Sequence, residues 1–258
     1  MRKSLKLFPV LFFLPAVLFG QHLSNNADTI LYSKILIIPY NPMMYLSDGD
    51  DDLAEYSEKN KEQIRAQFRS GLLQSVDVKL MTSYETHTFQ TNVGRDEQRD
   101  LETIYGSLNY QMDTVYPVTH LVKDTTRLAQ KLFGKNKTKT NQPVRYMNVK
   151  LSHPELLAMY SKKFGADLFL FLNQFEVITH YDDCYDLALK TYRREIKVDY
   201  SVFDATGKQV YGDVATVSFS TGLNDINEII AKNFPVISNY IYKNIPPKEI
   251  LPAKTASN

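Results

Sequence analysis

Asp167-Leu-Phe-Leu-Phe-Leu172 is an unbroken apolar run behind a single carboxylate. Nothing in it alternates, so it reads as a strand buried on both faces, the kind found inside a sheet with helices on each side. Beyond it the sequence turns to alternation through Phe175 and Val177, and the strand is expected to continue with one wetter face. Just upstream, Ser152-His-Pro-Glu155 has the residues of a helix start: a serine to cap, a proline at an early position and a glutamate to complete a reciprocal box. That helix is expected to run to Phe164 and stop at Gly165.

Downstream, Tyr192 to Phe203 has a clean period of two. Ile196, Val198, Tyr200 and Val202 fall on one face, predicted to be core, and Glu195, Lys197, Asp199 and Ser201 on the other, predicted to be wet. Asp204-Ala-Thr-Gly207 reads as a tight turn, and Val210 to Phe219 as the returning strand. Asn224 is a candidate cap for a closing helix that turns Ile226, Ile229, Ile230, Asn233, Ile237 and Tyr240 or Ile241 to the sheet, with a bend at Pro235. Pro246-Pro247 ends it, and 246–258 is read as a loose tail.

Toward the amino terminus, Ser33-Lys-Ile-Leu-Ile-Ile-Pro-Tyr40 is a second strand of the two-sided kind, stopped by Pro39. Leu53, Tyr56, Asn60, Ile64, Phe68 and Leu72 then recur at spacings of three and four and predict one long helix, capped by Asp50, Asp51 or Asp52. Val76 to Met81 reads as a short strand. Ser83 to Lys150 is an insertion, with a helix over Asp96 to Tyr110 and an exposed loop over 131–150. The whole is an α/β fold: a two- or three-layer sandwich of a mixed sheet with flanking helices, closed by an antiparallel hairpin and an amphipathic helix, and forming a single domain over 30–245.

The 258 residues carry 30 lysines and arginines against 29 acidic residues, a net charge of +1. No general field favours nucleic acid or an anionic membrane. Arg2, Lys3 and Lys6 precede the apolar stretch Leu7 to Phe19, and Gly20 follows, the three parts of a secretory signal peptide over 1–20. Its removal takes the basic count from 30 to 27 and the net charge to about −2. The sole cysteine, Cys184, lies far from the cleavage region, which excludes a lipid-bearing amino-terminal cysteine and an internal disulfide. The expected location is therefore the periplasm or outer envelope, without a lipid anchor or a transmembrane span.

Chemistry-bearing motifs are few. Asp48, Asp50 and Asp52 alternate as calcium ligands do, but Leu53 stands where the loop glycine belongs and Lys59 where a bidentate glutamate belongs. His180 and Cys184, with Asp182 and Asp183 between them, have donor types suited to a transition metal. These are the candidate metal residues, set against plain capping and loop roles. Elbow, phosphate-loop and paired-cysteine motifs are absent from the sequence, no cofactor is implied, and catalysis is not expected. Lys131, Lys135, Lys137, Lys139, Arg145 and Lys150 form a basic run without an acidic residue, a candidate partner-binding surface or a solvated loop.

The opening Lys34-Ile-Leu-Ile-Ile-Pro-Tyr40 strand, the Phe164-Gly-Ala-Asp-Leu-Phe-Leu-Phe171 entry and the Val202-Phe-Asp-Ala-Thr-Gly-Lys-Gln-Val210 hairpin together resemble the periplasmic α/β domains of the CsgG, LpoB and TolB amino-terminal group. The resemblance covers 34–80 and 152–243, and no counterpart is placed for the insertion. It implies a non-enzymatic envelope protein that binds protein partners or assembles with copies of itself. No site residue is carried over. The expected function is binding of an envelope protein, not nucleic acid; the alternatives are a secreted metal-dependent hydrolase and a subunit of an oligomeric ring or secretion pore.

Overall fold

The computed structural model describes residues 33–89, 94–115 and 144–245. The leader read at 1–20, the tail at 246–258 and most of the basic run lie outside these residues. The first strand, β1 (Lys34–Ile38), is buried from Ile35 onward and ends at Pro39. It lies between two parallel neighbours, β3 (Glu85–Thr88) and β6 (Leu168–Asp186). Asp167 ties the starts of β1 and β6 together, its Oδ2 accepting from the Ser33 N–H and hydroxyl at 2.8 Å each and from the Lys34 N–H at 3.0 Å. A short β2 (Tyr45–Ser47) runs parallel to the later part of β6. The sheet then continues antiparallel through β7 (Thr191–Asp204) and β8 (Gln209–Ser220), giving the order β3-β1-β6-β7-β8. The α/β class and the mixed sheet expected from sequence are what the structure shows.

One face of this sheet is covered by three helices: α1 (Asp50–Ser57), α2 (Lys61–Leu80) and α5 (Ile226–Asn244). Phe175 is the hub of that core, its ring 5.6 Å from Tyr40, 5.5 Å from Tyr45, 5.7 Å from Phe68 and 6.0 Å from Phe234. Gly71 lets α2 and α5 approach, since a Cβ there would meet the Ile230 side chain at 3.0 Å.

The other face carries a second layer made of α3 (Arg95–Gly106), α4 (Glu155–Phe164) and a separate antiparallel ribbon, β4 (Leu108–Val115) with β5 (Val144–Leu151). Leu36, Ile38, Phe169 and Phe171 supply the sheet's share of that smaller core, so the architecture has three layers.

Several local expectations change. The long stripe over 53–72 is two helices, because Glu58 adopts a left-handed φ of 56° and Asn60 starts α2 with a capping box to Gln63. Val76 to Met81 is not a strand: Val76 and Leu80 continue the four-residue spacing of Ile64, Phe68 and Leu72 and belong to the end of α2. The helix over 96–110 stops at Gly106, and Leu108 opens β4. Residues 144–150, read as loop, are strand β5, with Val149 fully buried. Asp225, not Asn224, caps α5, accepting from the Glu228 N–H at 2.8 Å, and α4 begins at Glu155 without a side-chain cap. Gly165 (φ 70°) ends α4 and Gly207 (φ 84°) closes the β7–β8 turn, as read from sequence.

Candidate functional site

The period of two in β7 places its apolar residues under α2 and α5 as expected, but the opposite face is wet only in part. Asp199 and Ser201 are buried there, because the ribbon crosses them. The Met147 N–H donates to Asp199 Oδ2 at 2.9 Å, Ser201 Oγ donates to Asn148 Oδ1 at 2.6 Å, and Asn148 Nδ2 reaches Gln209 at 2.9 Å. At the irregularity between Leu172 and Gln174, Asn173 turns its amide to the same layer and donates to the Met147 carbonyl and Ser201 Oγ. The ribbon is thus held to the sheet by polar contacts, and three buried acceptors, Asn173 Oδ1, Gln174 Oε1 and Asp199 Oδ1, receive no donor. Burial pushes the Asp199 carboxyl up to about 6, against the pull of the Met147 N–H and Lys197.

Farther along, the β6–β7 hairpin carries a mixed charge ladder. Lys197 bridges Glu176 and Asp199, at 3.6 and 3.4 Å, and Arg193 bridges Glu195 and Asp183, at 3.0 and 2.7 Å. On the other face at this level sits Arg194, fully buried, in phase with Ile196 and Val198 where another apolar residue is expected. Its guanidinium pairs with Asp52 at 2.5 Å and donates to Thr179 and Asn224. A Cβ on Gly49 would meet that guanidinium at 2.9 Å, so this glycine lets the start of α1 close over the arginine.

The three alternating aspartates, Asp48, Asp50 and Asp52, part company. Asp48 accepts from the Thr179 N–H and hydroxyl, both at 2.8 Å; Asp50 accepts from the Tyr45 hydroxyl at 2.6 Å and from Arg65 at 3.2 Å; Asp52 holds Arg194. They do not converge on one point. Cys184 donates to the Thr191 carbonyl at 3.4 Å, and His180 lies four residues back along β6, across a register irregularity, with its buried Nε2 unpartnered. Among the described residues no three histidine, cysteine or acidic side chains come together in a way that suits a metal ion. Of the basic run, Lys131, Lys135, Lys137 and Lys139 lie outside the described residues, while Arg145 and Lys150 are exposed on β5.

The feature sequence reading missed is the hairpin tip. Tyr181 (65% exposed), Tyr185 (53%), Leu187 (84%) and Leu189 (74%) project from residues 181–190. The turn that holds them out is ordered: Asp186 Oδ1 accepts from the Ala188 and Leu189 N–H groups at 2.8 and 3.0 Å, and Tyr181 packs edge-on against Tyr192 at 5.3 Å. Below the tip lies an open cleft of about 390 Å³ with Asp52, Thr179, Tyr192 and Asn224 on its wall. Asp52, the carboxylate on that wall, is paired with Arg194, and Lys190 also lines the cleft. The signal available in the sequence was Leu187 and Leu189 placed among turn-forming residues, outside any core period.

No protein-family model matches the chain, and no curated protein matches it.

Proposed function

We propose that this chain is an exported protein of the cell envelope that acts by binding another protein and does not catalyse a reaction. One observation carries the reading: four large apolar side chains are held in solvent on a built turn at the end of the longest hairpin. Isolated exposed leucines are ordinary, but a clustered and positioned set marks a contact surface. Asp182, Asp183 and Asp186 surround the set, against Lys190 alone at the tip. The partner surface that suits it is an apolar groove with a basic rim, and an anionic bilayer is disfavoured. The basic leader with its apolar run, and the element order that resembles the CsgG, LpoB and TolB group, support the envelope location. Among the described residues, no helix is long and apolar enough to cross a membrane.

The test is a photo-crosslinking residue at position 187 in cells, followed by identification of the adduct. A discrete protein adduct that disappears when Leu189 and Tyr185 are changed to serine is the expected result. Crosslinks to lipid only, or an adduct indifferent to those changes, would overturn the reading.

A further inference from the structure

Among the described residues, the path β3-β1-β6-β7-β8 ends in two edge strands. β3 is four residues long, begins with Glu85 in an ion pair with Lys34, and is too short and too charged to recruit another strand. β8 is twelve residues long, contains no lysine, arginine or proline, and its one carboxylate, Asp213, is buried and held by the Tyr211 and Tyr240 hydroxyls. Edges of that length normally carry a charge, a proline or a cover.

The ladder fixes which groups on β8 are open. The Thr221 N–H donates to the Tyr192 carbonyl at 2.9 Å, and hydrogen-bonded pairs alternate along antiparallel strands. Phe219, Val217, Ala215 and Asp213 therefore bond to β7, and Ser220, Ser218, Thr216 and Val214 turn their backbone groups outward. Two of those outward groups are already used within the chain. The Val214 N–H donates to Asp213 Oδ1 at 2.7 Å, and the Ser220 carbonyl accepts from the Leu223 N–H at 3.0 Å. Among the described residues, what remains open is the Val214 carbonyl, both groups of Thr216, both groups of Ser218 and the Ser220 N–H.

That set is complementary to itself. We propose that two copies of the chain pair antiparallel through β8 about a two-fold axis at Val217, joining their sheets. In this register the Thr216 N–H of one copy meets the Ser218 carbonyl of the other, the Ser218 N–H meets the Thr216 carbonyl, and the Ser220 N–H meets the Val214 carbonyl, with the symmetry mates completing the ladder. The two groups that would face each other without bonding, Val214 N–H and Ser220 carbonyl, are the two satisfied internally. The side chains agree. Thr216 faces Ser218 across the seam, Val217 faces its own mate, and no like charges oppose one another. On the helix-covered side, Tyr240 is exposed beside β8 and Val236 is exposed one turn before it on the same flank of α5, giving each copy an apolar shelf for the other.

Sedimentation equilibrium of the purified chain over a range of concentrations is the first measurement, and a monomer–dimer equilibrium is expected. Thr216→Pro removes an outward N–H that β7 does not use, so the fold should survive while association weakens by about 100-fold or more. Val217→Cys in a Cys184→Ser background should give an interchain disulfide on oxidation, whereas Phe219→Cys in that background should not. A monomer at every concentration overturns the proposal, whatever peptide then occupies the edge. So does a dimer that ignores Thr216→Pro or fails to crosslink at 217. This seam lies on β8 and not on the hairpin tip: Thr216→Pro leaves residues 181–190 unchanged, and Tyr185→Ser with Leu189→Ser leaves β8 unchanged.

Discussion

The two faces of β7 are built on different principles. Toward α2 and α5, Ile196, Val198, Tyr200 and Val202 join one apolar core that closes around Phe175, and packing does the work. Toward the ribbon, Asp199 and Ser201 are just as buried but sit among amides, hydroxyls and backbone groups, some of them unsatisfied. An apolar face gains stability from every methylene covered, whereas a polar face gains only from those groups that find partners. The ribbon's contact with the sheet therefore rests mainly on polar groups, and the helix layer's contact mainly on apolar ones.

The contrast can be broken most strongly on the apolar side. Phe175→Ala should lower unfolding free energy by about 3–5 kcal/mol, read from urea denaturation, because four rings lose their common neighbour. A loss under about 1 kcal/mol would mean the core is loosely packed. Next comes the buried arginine of β7 on that face. Asp52→Ala leaves the Arg194 guanidinium buried without a counter-ion and should cost about 3 kcal/mol, while Arg194→Met, which leaves a carboxylate that is 57% exposed, should cost about 1 kcal/mol. Equal losses would contradict this asymmetry.

On the polar side the sign reverses. The Asp199 carboxyl titrates near 6 when folded and near its ordinary 3.8 when unfolded, so the folded state binds the proton more tightly. Its contribution is fully present below pH 4 and is lost as the pH rises through 6, by at most about 3 kcal/mol. Asp199→Asn keeps an acceptor for the Met147 N–H and adds donors beside unfilled acceptors. It should stabilise the protein by about 1 kcal/mol at pH 8 and flatten stability between pH 4 and 6, measured by thermal melts across that range. A destabilised variant at pH 8 would show that the charge is needed. The smallest effect belongs to the tip: Tyr185→Ser with Leu189→Ser should change stability by less than about 0.5 kcal/mol while abolishing the adduct formed from position 187.

These differences also mark what was legible in the sequence. β1, the first half of β6 and the alternation of β7 were readable because a strand buried by helices declares itself in a few consecutive residues. Val76 to Met81 misled because β-branched Val76 and Val78 suit a strand, and only the four-residue phase of Val76 and Leu80 with Leu72 assigns the segment to α2. The burial of Asp199 was unreadable, since it is imposed by Met147, more than fifty residues away. Arg194 was within reach: it occupies a core-phase position in β7, and the acidic stretch at 48–52 supplies the charge to match it. The tip left no periodic trace at all, because projection into solvent is a property of the long hairpin and not of its local sequence.

The junction of Asp167 with Ser33 and Lys34 has a kinetic consequence. β1 enters the sheet between β3 and β6, and its register with β6 pairs Ile35 with Leu168 and Ile38 with Phe171. The first strand of the fold therefore waits for a partner more than 130 residues later, and the loop between them must close before the central pairing forms. High sequence separation of this kind slows folding relative to a chain of local contacts. A chain threaded across a membrane from its amino terminus would keep Lys34 to Ile38 unpaired on that strand's β6 side until Phe171 had emerged. For a chain exported as proposed, the same junction that anchors the finished sheet would make folding a late event.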